Sequence, residues 1–414
     1  MRLFKNRILL LLLIILPIIS LFVGFINNED LSTGGAKWDF NLTWPVVENF
    51  SNSIFTNVGE YTRHFPLHYF LLSLLNNLFK NSELVRLFYV FFSLLLPIFL
   101  FLNLRKIYDF EKINILIFSF SFLFLPIFRS EAIWSNSHLT ATIFFLIANF
   151  FYLKGLEQKN IYYKAINLIF SAFATYCLQT YVILYLYYLI NYYLKDNLKN
   201  FIKLFIISVF LGLPGLYFIY LNPRVSDLTI SKDFYYTFAT YISIMFFFIC
   251  FLLFNSETIK TLKKNIITIK FYDIIIIFLI MGIVIFNLDY SILKSNLKGG
   301  GFFFKLSHFL FKSNIIFISS FILGLFISYL IIKNDINLIF IFFMMFFMVL
   351  NFQIYQKYFE PLFLIILSVI YKNFLIKNVL SKLRNILIFY TLIILYFIVA
   401  YINLYNKFSY KLVI

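Results

Sequence analysis

Charged residues are scarce in this chain. Asp, Glu, Lys and Arg make up 13% of its 414 residues, whereas a soluble globular chain carries about a quarter. Hydrophobic residues make up 62%, and the mean hydropathy is +0.89. Apolar runs of about 15 to 25 residues, the length that a bilayer core requires, separate the charged clusters. The composition excludes an ordinary soluble domain and predicts an all-α, polytopic integral membrane protein.

Cysteine is also scarce. The two cysteines, Cys177 and Cys250, both lie in apolar runs, which excludes a disulfide framework and a cysteine-based metal site. No clear metal motif occurs elsewhere, so no cofactor is assigned, although a divalent metal stays an open alternative. The sequence shows no convincing internal repeat, which weighs weakly against an inverted-repeat transporter.

Apolar segments predict about 13 spanning helices in a single transmembrane domain, residues 1–414, with no separate soluble domain. Residues 165–194 form either one long helix or two, in which case Gln179-Thr180 makes the turn. Pro66–Phe79 is short for a crossing and is expected to lie at the interface. The predicted spans are 8–26, 85–104, 113–128, 138–153, 165–178, 180–194, 202–221, 237–254, 272–287, 314–332, 336–350, 361–376 and 385–405.

The net charge of +17 points to anchoring by the positive-inside rule and not to nucleic-acid binding. An uncleaved first helix with a cytoplasmic N-terminus puts most of the Lys and Arg residues inside. The expected location is the bacterial inner membrane. The outer face then holds one long loop, 27–84, and shorter loops that include 129–137, 288–313 and 351–360.

Polar residues concentrate in these outer loops. Trp38-Asp39-Phe40 precedes an amphipathic helix that is expected to begin near Pro45. The loop then continues through Glu60, Arg63 and the segment Phe65-Pro66-Leu67-His68-Tyr69. Polar groups at membrane depth usually line a cavity or pair with one another, so we expect a site on this face.

The arrangement resembles the GT-C superfamily of glycosyltransferases, which includes protein O-mannosyltransferases and the aminoarabinose transferases of lipid A. The resemblance rests on Trp38–Tyr69, Arg129–His138, Gln356–Pro361 and the long first outer loop. It implies a helical bundle with two juxtamembrane helices, a sugar donor carried on polyprenyl phosphate, and a catalytic acid in the first loop.

By this resemblance Asp39 takes the place of the first-loop acid, and Glu131 lies where many members carry a second acid. Many members have an adjacent Asp-Glu pair, but Phe40 follows Asp39, and the only adjacent acidic pair is Glu29-Asp30. The cations expected to hold the donor phosphate are Arg63, Arg129, Lys305 and Lys357. The residues expected to contact substrate are Glu60, His68, His138 and Gln356.

Transfer of a sugar from a lipid phosphate requires cations for the leaving phosphate and a carboxylate that accepts the acceptor's proton. The expected partners are the lipid-linked donor, membrane lipids and a glycan, lipid or protein acceptor, with no nucleic acid. Two alternatives stay open: an enzyme of the O-antigen polymerase or ligase type, and a polytopic transporter or flippase.

Overall fold

The computed structural model describes residues 2–32, 35–50, 64–222, 234–288, 300–348 and 355–405. The regular secondary structure of these residues is helical, with no strand among them. The α-helices are α1 Arg2–Ile26, α2 Gly35–Glu48, α3 Leu67–Phe79, α4 Ser82–Ser93, α5 Leu95–Ile107, α6 Lys112–Ser121, α7 Pro126–Ile133, α8 Ser137–Glu157, α9 Ile161–Cys177, α10 Val182–Lys195, α11 Leu198–Leu221, α12 Phe234–Leu253, α13 Ser256–Ile267, α14 Phe271–Phe286, α15 Gly301–Phe311, α16 Ile315–Asn334, α17 Leu338–Met348, α18 Leu362–Val369, α19 Phe374–Leu380 and α20 Leu383–Tyr405. Short 3₁₀ turns cover Phe122–Phe124, Gln179–Tyr181 and Gln356–Tyr358.

Within the described residues, six helices are long and apolar enough to cross a membrane, and the number rises to nine if each of three bent pairs is one span. The prediction of an all-α integral membrane protein is confirmed at this level, but the count of about 13 spans is not. The six are Ser82–Ile107, Ser137–Glu157, Leu198–Leu221, Phe234–Leu253, Ile315–Asn334 and Leu383–Asn403.

Breaks in the backbone explain part of the difference in the number of spans. The predicted spans within 165–194 become α9 and α10, with 17 and 14 residues. Leu178 between them has the extended angles φ −150° and ψ 112°, and the 3₁₀ turn begins at Gln179. The turn expected at Gln179-Thr180 is therefore present, but each helix is short for a full crossing.

The helix of the first loop begins earlier than predicted. It was expected to start near Pro45, but α2 runs from Gly35 to Glu48 with Pro45 inside it. The Ser32 hydroxyl accepts from the Ala36 N–H at 2.7 Å, so the helix already begins here, since such a bond satisfies a free N–H of the first turn. The predicted interfacial helix at Pro66–Phe79 corresponds closely to α3.

The chain divides into two compact units: residues 1–109 with 126–228, and residues 110–125 with 229–414. In the first unit, buried amides link the helices. Asn103 donates to the Leu146 carbonyl at 2.9 Å, and Asn149 donates to the Asn103 side chain at 3.0 Å. Because these groups are paired away from water, they hold α5 against α8.

In the second unit, α12 is the most buried of the helices long enough to cross a membrane, and it packs against α16 at a glycine. A Cβ at Gly324 would lie 2.8 Å from the Cβ of Phe246. The Ser243 and Ser320 hydroxyls are 2.6 Å apart across the same interface. The small residue lets the two helices approach closely enough for this hydrogen bond.

Candidate functional site

Every residue of α7 is buried, including Arg129 and Glu131. Arg129 forms a bidentate ion pair with Glu29: its Nε donates to Oε1 at 2.7 Å and its Nη2 to Oε2 at 2.9 Å. The side chains are 1% and 4% exposed. Arg129 also donates to the Ser20 carbonyl at 2.8 Å. This ion pair joins α7 to α1 and the residues that follow it.

Gly24 makes room for the ion pair. A Cβ at this position would lie 2.6 Å from Arg129 Nη2 and 2.8 Å from Glu29 Oε2, closer than van der Waals contact allows. Any larger residue would therefore have to displace two buried charges that already have their hydrogen-bond partners.

The second acid of the Glu29-Asp30 pair has a different role. One Asp30 carboxylate oxygen accepts from the Ser32 N–H at 3.0 Å, and the other accepts from the Lys37 N–H at 2.9 Å. A carboxylate at the start of α2 also interacts favourably with the helix dipole. The two acids of the only adjacent acidic pair thus have separate roles: Glu29 forms an ion pair, and Asp30 accepts hydrogen bonds at the start of α2.

Asp39, the predicted first-loop acid, lies half-buried on α2. The next residue, Phe40, is buried and packs against Trp134, with ring centroids 5.8 Å apart. The α2 residues Lys37, Phe40 and Trp44 line a cleft of about 430 Å³ together with Arg86 and Trp134. Asp39 does not belong to the described lining of this cleft, and its role as a base stays a prediction.

His68 lies at the start of α3 and is fully buried. Its Nε2 is 2.9 Å from the Ser135 carbonyl oxygen, and its Nδ1 is 2.9 Å from the Thr140 hydroxyl. Because a carbonyl can only accept, Nε2 carries the hydrogen, and Nδ1 of the neutral ring accepts from Thr140. Burial lowers the pKa of His68 to about 3, so the ring is neutral in this environment.

The buried neutral ring makes stability depend on pH. In the unfolded chain His68 binds a proton below pH 6.5. In the folded chain its ring stays neutral down to about pH 3. The contribution of the neutral His68 ring to the free energy of unfolding is thus complete above pH 6.5 and is lost as the pH falls. From pH 7.5 to pH 5 we expect wild type to lose about 2 kcal/mol more than His68→Gln does. Unfolding in detergent at both pH values measures this difference, and equal losses would contradict it.

Glu131 lies two residues after Arg129, on another side of α7. It acts electrostatically on the hydroxyls of Tyr89 and Tyr181. Tyr89 lies 2.7 Å from the Thr140 hydroxyl, which also contacts His68. We call His68, Tyr89, Glu131, Thr140 and Tyr181 the buried polar cluster. It joins residues of α3, α4, α7 and α8 with the turn before α10.

His138 continues the polar region beside the cluster. Its ring lies edge-on to that of His64, with centroids 5.8 Å apart, and the backbone carbonyl of His138 accepts from the Thr142 hydroxyl at 2.8 Å. Thr142 in turn is 2.7 Å from the hydroxyl of Tyr181. Two predicted substrate residues, His68 and His138, thus flank the same group of hydroxyls.

An apolar groove of about 200 Å³ reaches the buried polar cluster from between α3 and α4. Its walls include Leu71, Leu75 and Phe92, and its polar end is formed by His68, Tyr89 and Thr140. A hydrocarbon chain fits such walls, and a polar group at its end would face hydroxyl and imidazole groups.

The other described site residues belong to the second unit. Lys305 lies half-buried on α15, and burial lowers its pKa. Gln356 donates to the Tyr396 hydroxyl at 2.6 Å, and this hydroxyl donates to the buried Glu360 at 2.8 Å. Lys357 follows in the same 3₁₀ turn. Gly301 begins α15, where a Cβ would collide with Ile244, so this glycine has a packing role.

The structure thus brings Glu131, His68 and His138 together in the first unit, while Glu60 and Arg63 lie outside the described residues. Arg86 is not among the predicted site residues, because a single Arg at a helix start resembles an ordinary interface anchor. No group of three or more His, Cys, Asp and Glu within the described ranges could hold a metal ion.

Comparison with known proteins gives no relative: no family model, no curated protein and no solved structure matches the chain.

Proposed function

We propose that the chain is a membrane glycosyltransferase. It transfers a sugar from a polyprenyl-phosphate donor to a glycan, lipid or protein acceptor on the outer face of the inner membrane. The finer topology, with about 13 crossings and a cytoplasmic N-terminus, is part of the proposal. The helical membrane fold and the resemblance of the outer loops to GT-C enzymes support it.

The apolar groove that ends at the buried polar cluster carries the proposal. An isoprenoid chain requires apolar walls, which the leucines of α3 and the phenylalanines of α4 supply. The polar side chains of the lining, His68, Tyr89 and Thr140, belong to the buried polar cluster that also contains Glu131. The carboxylate of Glu131 in this cluster supports the proposal, because sugar transfer needs a group that accepts a proton.

In the proposed reaction the acceptor oxygen forms a bond to the anomeric carbon, and the bond from that carbon to the phosphate oxygen breaks. A carboxylate takes the proton of the acceptor hydroxyl, with Asp39 as the base and Glu131 assisting. The phosphate leaves with the bonding electrons and needs cations. We leave this role to Arg63, because Glu29 already neutralises Arg129. Lys305 and Lys357 belong to the second unit, and their role stays a prediction.

Asp39→Asn tests the proposed base. The assay follows the release of polyprenyl phosphate from a radiolabelled polyprenyl-phosphate sugar by the purified full chain. We expect the rate to fall by about 10²–10⁴, the usual contribution of a general base. Asp109→Asn is the control, because Asp109 is an exposed acid of the same unit.

Full transfer by Asp39→Asn at normal expression would remove Asp39 from the mechanism. Movement of the donor across the membrane without cleavage by wild type would contradict the transferase proposal itself and favour a flippase.

A further inference from the structure

We propose that the cleft between α2, the start of α4 and Trp134 is a binding site for the phosphate group of a sugar-sized ligand, with Lys37 and Arg86 as its cations. Its volume is about 430 Å³, within the range of small-molecule sites. The site goes beyond the proposed function, because none of the residues assigned to that reaction lines it.

Arg86 is held rigidly although it is almost fully buried. Its Nε donates to the Ile133 carbonyl at 3.0 Å, its Nη2 to the Asn28 side chain at 2.9 Å, and its Nη1 to Glu83 at 2.8 Å. Within the described residues these bonds use three of the five N–H groups of the guanidinium. Because the group is fixed in position, little conformational entropy is lost when an anion binds to the remaining N–H groups.

A second cation approaches the same indole ring. The guanidinium carbon of Arg86 lies 3.7 Å from the centroid of Trp134, and Lys37 Nζ lies 5.2 Å from it. Two cations at one ring repel each other, and the one acid of the lining, Glu83, is 61% exposed. An anion placed between Lys37 and Arg86 would relieve this repulsion and accept charge-assisted hydrogen bonds.

The rest of the lining suits a sugar ring. Phe40 and Trp44 are stacked with centroids 5.0 Å apart, so the wall of the cleft is aromatic. The Asn41 side chain is exposed beside them and can donate and accept hydrogen bonds with hydroxyl groups. Aromatic faces with a few polar groups are typical of small-molecule sites.

Tryptophan fluorescence offers a direct test, because two of the three tryptophans of the chain line the cleft. The purified full chain carrying Trp38→Phe, in detergent, is titrated with glucose 1-phosphate, inorganic phosphate and glucose. We expect saturable changes with both phosphates and none with glucose. Lys37→Gln should weaken phosphate binding about tenfold through loss of one charged hydrogen bond.

Lys199→Gln is the matched control, because Lys199 is an exposed lysine on α11 of the same unit. Lys37 is exposed as well, so neither change disturbs a buried group. Binding to Lys37→Gln with wild-type affinity, or equal changes with glucose and glucose 1-phosphate, would overturn the proposal.

One further titration, with polyprenyl phosphate, identifies the source of the phosphate. Tighter binding of polyprenyl phosphate than of glucose 1-phosphate would support the site and assign it to a lipid headgroup, and the reverse order would support it and assign it to a soluble sugar phosphate. The fluorescence titration measures binding and not turnover. Phosphate binding by a chain that transfers no sugar would therefore refute only the proposed function. Transfer by a chain that binds no phosphate ligand in the cleft would refute only this inference.

Discussion

Replacing Arg129 with Met is expected to destabilise the folded chain by about 3–5 kcal/mol, the cost of leaving a buried charge without its partner. Glu29 is buried and receives two hydrogen bonds from Arg129, and the variant would leave its carboxylate with neither of them. Reversible unfolding in mixed micelles with increasing denaturing detergent measures the loss.

The double variant Glu29→Gln/Arg129→Met separates the charge effect from a simple loss of packing. We expect it to recover part of the stability, because two neutral groups leave no buried charge. Lys106→Gln is the surface control: its partner Glu157 is 64% exposed, and such pairs contribute little. A double variant as unstable as the sum of both single variants would contradict this explanation.

Glu131→Gln is expected to reduce sugar transfer by about tenfold, less than the loss of the base Asp39, because the amide has the shape of the carboxylate but cannot assist with a charged hydrogen bond. The fold should tolerate the change, since a neutral group is easier to bury than a charge. Transfer and thermal stability of the same preparation are the two measurements.

Glu157→Gln, at the exposed end of α8, is the control for the loss of one acid. A Glu131→Gln protein that unfolds at the wild-type temperature and transfers sugar at the wild-type rate would exclude a catalytic role for Glu131. A protein that loses both stability and transfer would instead indicate that the carboxylate holds α7 in place.

Hydrophobic patterning was enough to place most helices, because burial in a bilayer leaves long apolar runs. It failed where helices are not apolar throughout. α13 carries Lys260, Lys263 and Lys264 and belongs to none of the predicted spans, and α15 lies in the predicted outer loop 288–313. A helix that is polar, or short and close to glycines, does not produce the pattern of a span.

The polar groups were found in sequence, but not their partners. Glu29 and Arg129 are 100 residues apart, and nothing in a single sequence says that one neutralises the other. Arg86 is a single charge at the start of a predicted helix, and its stacking on Trp134 does not show in the sequence. The sequence was therefore enough to predict Glu131 and His68 as polar residues of a site. The cleft beside α2 could be recognised only from the fold.

The Glu29–Arg129 pair also bears on how the chain is made. Because Arg129 is synthesised 100 residues after Glu29, α1 and the acid that follows it leave the ribosome before the partner of this acid exists. At the usual rate of synthesis α7 follows about 5–20 s later. During that interval Glu29 must stay at the water interface, since an ionised carboxylate is costly in lipid. The final position of α1 is therefore set only when α7 arrives, which makes the first helix of the chain one of the later ones to pack.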